Sequence, residues 1–78
     1  MPLIDVVVQQ HDTNAVLFAH HVGDIAIALL APRTPVELGN TVTETTTARC
    51  WKVIYVGRAD VGGWIDVTLR RLDAAVAA

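Results

Sequence analysis

The chain has no serine and only one cysteine, Cys50, in 78 residues. Without serine, serine-based hydrolysis is excluded. A lone cysteine cannot close an internal disulfide, so the fold has to hold without a covalent staple, as expected in a reducing compartment. Basic side chains are also scarce. Six Lys+Arg against eight Asp+Glu give a formal net charge of −2. A nucleic-acid binder usually carries a basic excess, and a membrane-surface segment carries a polybasic run, so the balance argues against both partners. The longest clean apolar run, residues 25–31, is far short of the ~20 residues that span a bilayer as a helix. Asp5 interrupts the apolar start and no basic stretch precedes it, so the reading is a soluble, cytoplasmic protein. No phosphate-cradling glycine loop is present, because Gly62-Gly63 falls in a turn.

What is present is apolar side chain in quantity. Hydrophobic residues are 53% of the chain and charged ones 18%, which excludes disorder and leaves one small domain over residues 1–78. Turn signals punctuate it at residues 11–14, at Gly23-Asp24, at Pro32-Arg33-Thr34-Pro35, at Gly39-Asn40 and at Asp60-Val61-Gly62-Gly63. The segments between them are short and rich in β-branched residues: 3–10, 15–22, 41–47, 51–56 and 65–69. Residues 24–31 read as a strand in preference to a short helix capped by Asp24. The expected class is mainly β, all-β or α+β, with a strongly bent antiparallel sheet or barrel of about five strands. One short helix is possible in the tail, residues 71–78.

The best-specified piece is the last hairpin. A four-residue loop at 60–63 sets Val56 against Val67 and Ile54 against Leu69. One face then carries Ile54, Val56, Ile65, Val67 and Leu69, an expected core. The other carries Trp51, Val53, Tyr55, Trp64, Asp66, Thr68 and Arg70, which mixes aromatic rings with charge. Such a face suits an interface or a ligand site, and Trp51, Val53, Tyr55, Trp64, Asp66 and Arg70 are its candidate residues.

The segment from Val36 to Leu72 resembles a small barrel of the Src-homology-3 type in its rhythm. Gly39-Asn40-Thr41-Val42 is followed by a loop, by Trp51-Lys52-Val53-Ile54-Tyr55-Val56, by a turn, and by Ile65-Asp66-Val67-Thr68-Leu69. The resemblance covers about half the chain and implies a β-barrel fold, not an activity. Type II dihydrofolate reductases are barrels of similar length that act only as tetramers. Their Val-Gln-Ile-Tyr strand has no counterpart, since Val53-Ile54-Tyr55-Val56 lacks the glutamine.

Residue types able to carry chemistry are dispersed. His11, Asp12, His20, His21 and Asp24 lie close in sequence, but adjacent histidines on a strand point to opposite faces. No zinc spacing is present, so no metal and no cofactor is expected. Cys50 reads as a small buried apolar residue. Asp66 and Arg70 share a strand face but stand roughly 13 Å apart along it, too far to pair with each other. The expectation is therefore a homo-oligomeric binding or interaction domain, a dimer or tetramer, with a small-molecule ligand unidentified. The alternative is a small enzyme whose active site forms between subunits.

The melting temperature should be the same with and without EDTA. A fall of several degrees on chelation, reversed by zinc, would show a metal site that this spacing does not reveal.

Overall fold

The structure is a computed structural model and describes residues 3–18 and 23–72. Six strands account for most of it: β1 (Leu3–Val8), β2 (His11–Leu17), β3 (Ile25–Leu30), β4 (Thr41–Glu44), β5 (Cys50–Ala59) and β6 (Ile65–Arg71). They form a closed antiparallel barrel in the order β1-β2-β3-β6-β5-β4. Two three-stranded meanders, β1–β2–β3 and β4–β5–β6, are joined by residues 31–40 and sealed to each other by β3–β6 and β1–β4 pairing. The barrel is all-β, with six strands where about five were expected. Among the described residues there is no helix, and none is long and apolar enough to cross a membrane. Residues 24–31 are strand for most of their length, and the tail beyond residue 72 lies outside the described residues.

The barrel interior follows the period-2 rule of strands. Val6 and Val8 of β1, Ala15 of β2, Ala26, Ala28 and Leu30 of β3, Val42 of β4 and Val67 and Leu69 of β6 are all buried. Ile4, Leu17, Val36, Val56 and Ile65 pack against them. Ala15, Ala26 and Ala28 share this interior with its largest side chain, Trp51, a mix of small and large residues usual inside small barrels. At one end, residues 31–40 cross the barrel mouth and push Thr34 inside. Its hydroxyl meets that of Thr13 at 2.8 Å, which satisfies the one buried polar residue of the described core.

Two expectations are corrected by the ladder. The first is the turn at residues 11–14, which lies within β2. Asp12 and Asn14 occupy outer-face positions opposite Val7 and Asp5, and Asn14 Nδ2 donates to Asp5 Oδ1 at 2.7 Å. The chain reverses instead at Gln9-Gln10, with Gln9 at φ 57°. A left-handed non-glycine residue needs support. Gln9 finds it on β4, where its N–H donates to the Thr41 carbonyl at 2.8 Å and its side-chain oxygen accepts from the Thr41 N–H.

The second correction is to β5. The sequence-derived register holds at Val56↔Val67, but Val53 rather than Ile54 faces Leu69. β5 has ten residues against seven in β6, and the surplus is taken up by irregularities between Val53 and Tyr55 and between Val56 and Ala59. A bulge inverts the in–out alternation of everything beyond it. Trp51 and Val53 therefore lie inside, each 1% exposed, and Ile54 lies outside at 37%. The gain is the burial of a tryptophan in place of an isoleucine. Cys50 also departs from expectation. It is half-buried, with its Sγ 3.8 Å from Thr43 Oγ1 and 3.6 Å from the Ala48 carbonyl.

Chemical denaturation tests the position of the bulge. Val53→Ala should cost about 1–3 kcal/mol through lost transfer energy and a cavity. Ile54→Ala should cost under about 1 kcal/mol, as an exposed truncation does. The opposite ranking would place Ile54 in the core.

Candidate functional site

The six residues selected from sequence divide between the two sides of the barrel wall. Trp51 and Val53 are interior and cannot contact a partner without unfolding β5. The Trp51 indole N–H donates to Glu44 Oε2 at 2.7 Å, at the barrel end formed by the close of β4 and the start of β5. Thr47 Oγ1 reaches the other carboxylate oxygen at 3.3 Å. The ring is thereby held as a core element.

Tyr55, Trp64, Asp66 and Arg70 lie on the outer wall. Tyr55 is 56% exposed, Arg70 is exposed, and Trp64 and Asp66 are half-buried. Trp64 closes the β5–β6 loop. Asp60 Oδ1 accepts from the N–H groups of Gly62 at 2.8 Å and Trp64 at 2.9 Å, and the Asp60 N–H donates to the Trp64 carbonyl at 2.9 Å. Gly63 takes φ +87° there, and a Cβ on it would stand 3.2 Å from Pro32. The loop is therefore a rigid corner on which the Trp64 ring leans against Gly62.

The register brings further residues onto this wall. Ile27, Thr68 and Tyr55 are consecutive cross-strand neighbours on β3, β6 and β5. Ile27 is 44% exposed, so an exposed isoleucine and an exposed tyrosine flank a half-buried threonine in one outward row. Leu29 stands beside Asp66 on one side of that row, and Ile25 beside Arg70 on the other. Val16 on β2 and Leu3 on β1 extend the Leu29 side. The contribution of β3 was missed from sequence. Its run Ile25-Ala26-Ile27-Ala28-Leu29-Leu30 is apolar on both parities, so periodicity alone does not show which side is outside. Burial in the barrel settles it: Ala26, Ala28 and Leu30 face in, and Ile25, Ile27 and Leu29 face out.

The charges on this wall are arranged unevenly. Arg70 is directly opposite Lys52 on β5, a like-charge pair that repels. Asp66 sits over Gly57, where a Cβ would fall 3.1 Å from its Oδ2. The missing side chain at position 57 leaves the carboxylate room to lie on the face. No side-chain hydrogen bond or ion pair ties Asp66, Arg70 or Lys52 to another described residue.

Elsewhere, an open groove of about 740 Å³ runs between the β1–β2 turn and residues 35–40, lined by Val8, Gln9, Gln10, His11, Val36 and Glu37 among others. None of the six sequence-selected residues reaches it. His20 and His21 lie outside the described residues. Among the described residues no group of three or more His, Cys, Asp or Glu could hold a metal ion. No family model matches the chain, and no curated protein or solved structure matches it.

Asp60→Ala should destabilise the domain by about 1–2 kcal/mol, because two loop N–H groups lose their acceptor. Asp60→Asn keeps an acceptor oxygen and should stay close to wild type. Denaturation curves read through tryptophan fluorescence check both.

Proposed function

We propose that this chain is a self-associating interaction module that works through the outer face of β3, β6 and β5. The carrying observation is the outward Ile27–Thr68–Tyr55 row, with Ile27 and Tyr55 exposed and Thr68 half-buried between them, bordered by Leu29 and Ile25. A barrel of this size encloses little volume, and its apolar composition exceeds what the interior can take. Part of that surplus lies on this wall, where Ile27 and Tyr55 are exposed, and part lies in the connections, at Leu38 and Val61. Tyrosine is the residue type that interfaces favour, with an apolar body and a polar tip.

The mode is face packing. Each strand of the closed barrel has a neighbour on both sides, so a partner is not recruited by adding a strand to an edge. A second copy is the occupant that fits, because the face carries both signs of charge alongside its apolar row and can complement itself.

Ile27→Glu tests this directly. Ile27 points outward, so the variant should keep the β-type circular dichroism spectrum and melt close to wild type. Light scattering at micromolar concentration should show a dimer or larger assembly for wild type and a monomer for the variant. A monomeric wild type, or an assembly indifferent to Ile27→Glu, would overturn the reading.

A further inference from the structure

We infer that the two copies meet around a two-fold axis at Thr68, with β6 antiparallel to the partner's β6, so that Asp66 of each copy lies against Arg70 of the partner subunit. This rests on the self-association reading and adds its geometry.

Three observations converge on it. Asp66 and Arg70 are placed symmetrically about Thr68, two residues to either side on the same face of β6. Within one chain they are roughly 13 Å apart and do not pair. A two-fold axis through Thr68 and across the strand exchanges the two positions, so each carboxylate is carried onto a guanidinium. The second observation is the Lys52–Arg70 pair. Two cations stand directly opposite each other without a carboxylate among the described residues to bridge them. The partner's Asp66 supplies the missing anion in this register, next to both. The third is the row through the axis. Ile27, Thr68 and Tyr55 lie at the centre of the proposed contact, where apolar surface is excluded from water while the charged residues flank it.

Sheets packed face to face stand about 10 Å apart, a gap that an arginine side chain from one layer and an aspartate from the other can close. The alternative two-fold, along the strand direction, sets Asp66 against the partner's Asp66 and Arg70 against the partner's Arg70. Like charges then oppose each other at both places, and that register is disfavoured.

The experiment is a set of outer-face variants measured by analytical ultracentrifugation over a range of concentrations and salt. Asp66→Arg and Arg70→Asp should each raise the dimer dissociation constant by about tenfold or more, since each juxtaposes like charges. An equimolar mixture of the two should recover a heterodimer. The double variant Asp66→Arg with Arg70→Asp should dimerise like wild type, because exchange preserves the pairing. Asp66→Asn should weaken the dimer, and added salt should weaken wild type more than it weakens Asp66→Asn. Circular dichroism confirms that each variant folds, as all the altered side chains lie outside the barrel. If Asp66→Asn instead strengthens the dimer, the axis runs along the strand and the proposed register is wrong. If Ile27→Glu gives monomers while the charge variants leave the dimer unchanged, the face stands and the Asp66–Arg70 clasp falls. A wild type that stays monomeric, or a dimer that ignores Ile27→Glu as well, overturns both the face and the clasp.

Discussion

Six short strands enclose a narrow space, and the largest side chain in it carries an N–H that cannot be left dry. The Trp51 indole is buried in the barrel and donates to Glu44 at 2.7 Å. A buried donor without a partner costs about 1–3 kcal/mol, so the carboxylate at the barrel end is what makes so large a ring tolerable inside. Much of the rest follows from that placement. β5 bulges beside Ile54 because Trp51 and Val56, five positions apart, must both face inward. The bulge turns Ile54 and Tyr55 outward together, and that pair supplies part of the apolar wall.

The outer wall is the complement of this interior. On β3, Ile25, Ile27 and Leu29 face out while Ala26, Ala28 and Leu30 face in, so half of an entirely apolar strand lies on the surface. The face that results is apolar at its centre and carries both signs of charge beside it.

Most strands and several turns were legible in the sequence, because proline, glycine and aspartate mark them by their own backbone chemistry, but residues 45–47, read as strand, form the turn between β4 and β5. The Pro32–Pro35 break, the Gly39-Asn40 turn and the 60–63 loop all stand where composition put them. The in–out pattern of β6 was also legible, with Val67 and Leu69 inside. That of β5 was not. Trp51-Lys52-Val53-Ile54-Tyr55-Val56 is apolar at five of six positions, so either parity makes a plausible core, and a bulge leaves no residue signature there. The turn at Gln9-Gln10 escaped for a different reason. Its left-handed residue is held by contacts to Thr41, a strand distant in sequence, while Asp12 and Asn14 advertised a turn that cross-strand pairing with β1 overrode. Of the six candidate residues, Tyr55, Trp64, Asp66 and Arg70 lie on the outer wall, and Trp51 and Val53 lie inside. Ile27 was not foreseen, because membership of the face depends on β3 lying beside β6.

The way the barrel closes also bears on how fast it forms. Within each meander, neighbours in sequence are neighbours in space, and their hairpins can zip locally. The two seams are different: Val8 meets Val42, and Leu30 meets Ile65. Bringing such distant segments together costs chain entropy before any of their contacts compensates. The seams are therefore expected in the rate-limiting step, and residues 31–40 act as the tether whose length sets that cost. The same segment carries Thr34 into the barrel mouth, so the tether is fastened by the closure it permits. Chains caught before sealing expose the free sides of β1, β3, β4 and β6 as unpaired strand edges. That transient state, rather than the finished barrel, is where the protein is most open to aggregation.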